Sequence, residues 1–225
     1  MSPRELARRI DHTILKPEAT CAQVDKLCDE AREFGFVAVC VNPCWVELCA
    51  RRLAGSATSV CTVAGFPLGA SISEAKAFEA RRAVEQGALE VDMVVNLADL
   101  ITGDHKAVTR DIEAVVAATK RANEHAIVKV ILETRALTEE QIIMGCRCVA
   151  EAQADFVKTS TGFHANGGAT VEHVALLRRH SAPIKVKAAG GIRDLKTALA
   201  MIEAGADRLG MSASAAVMQE LAATA

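Results

Sequence analysis

The sequence predicts a single-domain α/β chain over residues 1–225, folded as a (β/α)8 TIM barrel with a short N-terminal helix. Three observations carry that expectation. Eight short apolar runs rich in β-branched residues recur along the chain, amphipathic helical stretches separate them, and one helix-to-strand joint repeats in related form. The runs are nearly continuous in hydrophobicity instead of alternating, as parallel strands buried on both faces should be. An open doubly wound sheet would also alternate strand and helix, but eight units in 225 residues match a barrel, which takes about 200 to 250.

The expected strands are IDHTIL (10–15), FVAVCV (36–41), SVCTVAGF (59–66), EVDMVV (90–95), IVKVIL (127–132), FVKTS (156–160), IKVKAAG (184–190) and RLGMS (208–212). A short helix around residues 3–9 precedes them, as a lid over the barrel floor or an edge contact. Thr20 with Gln23, Ser71 with Glu74 and Thr138 with Gln141 have capping-box spacing, and Asn42-Pro43 sets proline at a first helical position. Gly35, Gly55, Gly87 and Gly205 stand where helices need a left-handed residue before the next strand. The joints EQGALEVD (85–92), EAQADFVK (151–158) and EAGADRLG (203–210) are the repeat. No Pro/Gly/Ser-rich linker or like-charge block divides the chain.

Composition narrows the function. A net charge of −2 gives no surplus to draw the protein onto nucleic acid or an anionic membrane, and with no tyrosine and 3% aromatics a base-stacking surface is not expected. The first ten residues hold no signal-like apolar run, so a cytoplasmic protein is expected. The eight cysteines, with pairs such as Cys40/Cys44 and Cys146/Cys148 off the CxxC spacing, read as reduced thiols. The six histidines show neither HxH nor HExxH spacing and only His12 falls on a strand, so no metal and no cofactor are expected.

Chemistry in such a barrel gathers at the C-terminal strand ends, and Asp92, Lys158 and Lys187 are charged residues in runs that should be apolar. One of them alone fits a structural ion pair; three on three strands of one barrel point to a site. Lysine there suggests imine formation with an aldehyde. An ordinary lysine, with a pKa of about 10.4, is neutral in roughly one molecule in 2,500 at pH 7, and lowering that to near 7 takes roughly 4 to 5 kcal/mol from desolvation and a neighbouring cation. A second lysine supplies the cation. By strand parity Lys185 faces as Lys187 does, deeper and structural, while Lys129 and Glu133 either support the site or pair with each other. Gly190-Gly191-Ile192-Arg193 and Gly210-Met211-Ser212, after the last two strands, suit a phosphate, although a GG pair alone is ordinary turn chemistry.

The segments IDHTILKPEAT, EVDMVVN, FVKTSTGF and VKAAGGIR, in this order from Ile10 onward, resemble the signature segments of the deoxyribose-phosphate aldolase family. That resemblance covers nearly the whole chain, to about Ser214. It implies a metal-independent, reversible cleavage of 2-deoxyribose 5-phosphate to acetaldehyde and glyceraldehyde 3-phosphate, with the cut placed at C3–C4. It further implies Lys158 as Schiff-base nucleophile, Lys187 as the lysine that tunes it and helps move protons, and Asp92 as the carboxylate acting through a water. By the same carry-over Gly162, Gly190, Gly191, Gly210 and Ser212 hold the phosphate, Asp11, Thr13 and Thr161 bind sugar hydroxyls, and Cys40 stands at the aldehyde pocket or is simply a small buried hydrophobe. Two departures bear on phosphate affinity and tail chemistry: Phe163 stands where some members carry lysine, and the tail LAATA lacks the tyrosine some members end in. A small-molecule sugar phosphate and an aldehyde are the expected partners, with a homo-oligomer, dimer or tetramer, as a base-rate expectation. The lysine argument by itself also admits another Schiff-base sugar-phosphate aldolase, and the glycine loops alone a non-catalytic sugar-phosphate binder.

Overall fold

The computed structural model describes residues 1–223, and within them eight parallel strands close into a barrel in chain order. They are β1 (Ile10–Ile14), β2 (Ala38–Val41), β3 (Ser59–Ala64), β4 (Glu90–Val94), β5 (Ile127–Ile131), β6 (Phe156–Lys158), β7 (Lys185–Ala189) and β8 (Arg208–Met211). The helices are α1 (Pro3–Ala7), α2 (Cys21–Phe34), α3 (Val46–Arg52), α4 (Ser73–Glu85), α5 (Leu97–Thr102), α6 (His105–Ala122), α7 (Glu139–Glu151), α8 (Val171–Ser181), α9 (Leu195–Glu203) and α10 (Ser214–Ala223). Ile10 opposite Leu209 and His12 opposite Met211 join β1 to β8, so the sheet has no open edge.

Strand parity divides the core in two. Val39, Val41, Val60, Val91, Met93, Val128, Val130, Val157, Val186 and Leu209 pack outward in one large cluster under the helices. Such burial contributes roughly 1.5–3 kcal/mol per aliphatic side chain. Inward, Ala38, Cys40, Cys61 and Val63 make a separate small apolar wall with Leu15 and Phe66. The rest of the interior carries the charged residues, with Phe156 packed against Arg208 among them, and a run such as β2 is continuous because both of its faces are apolar.

The capping boxes at Thr20 and Thr138 form as the spacing predicts, and an unanticipated one joins Ser2 to Glu5 at the start of α1. Ser71 and Glu74 do not form theirs. Helix α4 begins at Ser73 after Ile72, with no side-chain cap. Its first turn is instead anchored on α6: Ser73 Oγ donates to Asp111 Oδ1 at 2.8 Å, and Lys76 Nζ lies 2.7 Å from Asp111 Oδ2. Pro43 opens a single 3-10 turn (Pro43–Trp45) that runs into α3. Helix α1 lies at the N-terminal end of the barrel, with Leu6 and Ala7 buried and the Ala7 carbonyl accepting from Val37 N at 3.2 Å. Among the described residues no helix is long and apolar enough to cross a membrane.

Candidate active site

Asp92, the third residue of β4, is fully buried and is the hub of the interior. Its Oδ2 accepts from Lys158 Nζ at 2.7 Å and from Lys187 Nζ at 2.6 Å. Its Oδ1 accepts from Lys129 Nζ at 2.8 Å and from Cys61 Sγ at 3.2 Å. Below it Lys187 Nζ lies 2.5 Å from Asp11 Oδ2, and Arg208 pairs with both Asp11 (2.5 Å) and Glu90 (2.7 Å). Lys129 completes the chain 2.6 Å from Glu90.

Three buried carboxylates, Asp11, Glu90 and Asp92, thus face four buried cations, Lys129, Lys158, Lys187 and Arg208. The cluster runs the length of the barrel. Arg208 and Glu90 open their strands at the floor, whereas Lys158 is the last residue of β6 and caps the cluster toward the C-terminal mouth.

Burial opposes ionisation of Asp92, but Lys129, Lys158 and Lys187 outweigh it and hold the carboxyl well below the usual range. Asp11 is depressed in the same way: burial opposes its charge, and Lys187, Arg208 and Lys129 overcome that. Burial likewise disfavours the Lys187 ammonium, yet Asp11 and Asp92 raise its pKa above the ordinary lysine value. Lys129 is raised too, with Asp92 the strongest influence against desolvation. Lys187 therefore stays cationic beside Lys158. The neighbouring Cys61 lowers the Cys40 thiol, while burial, followed by Cys40, raises Cys61.

Two donor groups, Cys40–Cys61–Asp92 and Asp11–Cys61–Glu90, bring their ligand atoms within 4.8 Å of one another. Ammonium and guanidinium groups already face these oxygens, and Lys129 Nζ also lies 3.3 Å from Cys61 Sγ. A metal ion would have to displace a lysine, so these donors suit the cations they hold better than a metal.

At the mouth, the loops after β6 and β7 lie backbone on backbone. A Cβ on Gly168 would come within 2.2 Å of the Gly190 carbonyl oxygen, so no side chain fits there. The N–H groups of Gly162, Gly190, Gly191 and Ser212 make no hydrogen bond among the described residues. Thr161 is different: its N–H and hydroxyl both donate to Glu133 Oε2, at 3.1 and 2.5 Å, and its Oγ1 accepts from Phe163 N at 3.0 Å. Phe163 itself meets Phe66 edge-on, with ring centroids 5.3 Å apart.

The structure brings Asp92, Lys158, Lys187, Asp11 and Cys40 together. It relocates three expected positions. Gly210 is not in a loop but inside β8, where it makes room for Ala189 and Lys187, whose Cβ and Cε would lie 3.0 and 3.1 Å from an added Cβ. Asp11 lies in the ion cluster under the site, and half-buried Thr13 donates to the Asp11 carbonyl at 2.8 Å. Thr161 has its donors committed to Glu133. Lys129 and Glu133 do not pair with each other, and Lys185 is exposed at the start of β7 near the Phe156 ring. Glu90, Arg208, Cys61 and Gly168 were not singled out in the sequence. For Glu90 the signal was there, two residues before Asp92 and so on the same face. The last two residues of the LAATA tail lie outside the described residues.

The DeoC/LacD family aldolase description matches residues 6–220. The chain belongs to that aldolase family. This DeoC/LacD-family chain is 52% identical over 221 residues to deoxyribose-phosphate aldolase 1 of Bacillus licheniformis, covering 98% of this chain and 97% of the relative. It is 55% identical over 210 residues to the deoxyribose-phosphate aldolase of Brevibacillus brevis, with 93% of each chain covered. Among solved structures, the tetrameric deoxyribose phosphate aldolase of Aeropyrum pernix superposes with a TM-score of 0.92 at 34% identity, covering 100% of this chain and 94% of that one. The barrel is therefore the architecture of that family as well as the one its own residues build.

Proposed function

We propose that this aldolase cleaves 2-deoxy-D-ribose 5-phosphate reversibly to acetaldehyde and D-glyceraldehyde 3-phosphate through a Schiff base on Lys158. The observation that carries this is the sharing of one buried Asp92 oxygen by Lys158 and Lys187, with Lys158 at the mouth end of a cluster holding more cations than carboxylates. Such an excess lets one amine give up its proton without leaving a carboxylate unpaired.

The neutral amine adds to C1, water leaves, and the iminium draws electrons from the substrate chain as the C3 hydroxyl loses its proton. Carbon counting corrects the cut to C2–C3, since only that bond leaves two carbons as acetaldehyde and three as glyceraldehyde 3-phosphate. The enamine at C2 then takes up a proton, and hydrolysis frees the amine. Asp92, held so acidic, is a weak base; its Oδ2 serves better to orient Lys158 and Lys187, while water takes up the C3 hydroxyl proton and returns one to C2 of the enamine. The unspent N–H groups of Gly162, Gly190, Gly191 and Ser212 support phosphate binding.

The proposal extends to one catalytic domain over residues 1–225, to a cytoplasmic setting that suits eight unpaired cysteines, and to a homo-oligomer, as in the tetrameric Aeropyrum pernix relative. The test is mass spectrometry after incubation with acetaldehyde and borohydride, which reduces an imine to a stable amine. A single ethyl group on Lys158 is expected. Ethyl groups scattered over surface lysines, or none, would point to a non-catalytic sugar-phosphate binder.

A further inference from the structure

Glu133 is a carboxylate only 2% exposed, placed just beyond β5, and no lysine or arginine pairs with it among the described residues. Burying a charge without a cation is costly, and this one also sits at φ +57°, in the left-handed region that non-glycine residues rarely adopt. Both features need a compensating role. Among the described residues its side chain has partners on one residue alone: Thr161 N–H and Thr161 Oγ–H both donate to Oε2, while Oε1 is buried without a partner.

Those two bonds decide what the loop after β6 can offer a ligand. The Thr161 hydroxyl has one hydrogen, and it goes to Glu133. Its oxygen in turn accepts the Phe163 N–H. Of three successive N–H groups, at 161, 162 and 163, the outer two are committed inside the protein and the Gly162 N–H is left over. The neighbouring Gly190 and Gly191 donors are likewise uncommitted.

We propose that Glu133 is a positioning residue that acts through Thr161 to hold the loop 161–163 so that the Gly162 N–H is the donor presented to the substrate's phosphate. Thr161 is then an internal strut and not a donor to a sugar hydroxyl. The inference rests on the sugar-phosphate reading above, and its test includes a binding measurement that does not need the aldol reaction.

Glu133→Ala, Glu133→Gln and Thr161→Val are compared with the unmodified protein by kcat and KM on 2-deoxyribose 5-phosphate and on unphosphorylated 2-deoxyribose. Inorganic phosphate binding is titrated alongside. Glu133→Ala is expected to raise KM for the phosphorylated sugar about ten-fold and weaken phosphate binding about as much, while kcat/KM for 2-deoxyribose stays within about two-fold. Glu133→Gln, which keeps an oxygen acceptor, recovers most of that affinity. Should Glu133→Ala fail to fold, Thr161→Val must give the same split between the two sugars. Equal losses on both sugars, or phosphate binding unchanged in every variant, overturn the proposal. If the unmodified protein cleaves neither sugar, the aldolase reading falls, and the phosphate titration still decides the role of Glu133.

Discussion

Replacing Lys187 by methionine removes one charge and leaves a side chain of similar length. Lys158 Nζ and Lys187 Nζ lie 2.7 and 2.6 Å from the same Asp92 oxygen, so they are at most 5.3 Å apart. Two unit charges at that separation repel by roughly 3 kcal/mol at an effective dielectric constant of about 20. At about 1.36 kcal/mol per pH unit, losing that repulsion makes the reactive amine harder to deprotonate by roughly two units. The sign is fixed: with the neighbouring cation gone, Asp92 Oδ2 serves Lys158 alone, which favours the ammonium further. Imine formation in Lys187→Met should therefore need a pH about two units higher. The assay is the rate of borohydride-trapped ethyl-Lys158 against pH for both proteins, on material shown to be folded, since uncovering the buried Asp11 and Asp92 carboxylates costs about 3–5 kcal/mol. Superimposable pH profiles would refute the tuning role and the charge-count argument with it.

Other outcomes follow from the same geometry. Lys158→Arg keeps a cation against Asp92 but cannot form an imine; turnover and trapping should both vanish, and residual turnover above about 1% would move the nucleophile elsewhere. Asp11 and Asp92 have folded pKa values depressed below the unfolded value of about 3.9, so their contribution is complete above that pH and is lost as pH falls toward the folded values. Urea midpoints should thus decline below about pH 4 to 5, and a flat profile down to about pH 2 would contradict the ion-pair account. Gly168→Ala would force a methyl group against the Gly190 carbonyl, so the loops after β6 and β7 must part. We expect at least about a ten-fold rise in KM for the phosphorylated sugar, measured by steady-state kinetics, and an unchanged KM would show that the loops yield without cost.

The alternation of strand and helix, the closure into eight units and the positions of Asp92, Lys158 and Lys187 were legible because each depends on local pattern: continuous apolar runs, caps, and a charge where a buried strand should have none. Strand parity even gave the inward face. It could not give the level, because closing a barrel staggers the strands. Register alone sets Lys187 beside Arg208 and Lys158, and Asp92 beside Lys129. Hence Lys129 remained open between two roles, Arg208 and Glu90 went unread as the floor of the same cluster, and Gly210 looked like a loop glycine when its task is to leave space for a lysine. Ser71 fails as a cap for a related reason: Asp111, far along the chain on α6, fixes the start of α4 from outside.

By itself the sequence determined the architecture and which charged residues stand in its buried strands, since side-chain type and hydrophobic period are properties of the chain alone. Tertiary structure decided how the charges balance. Three carboxylates against four cations, two lysines on one oxygen and a carboxylate spent on Thr161 are all relations between residues distant in sequence. Electrostatic energy varies with the distances and burial that only the closed barrel sets.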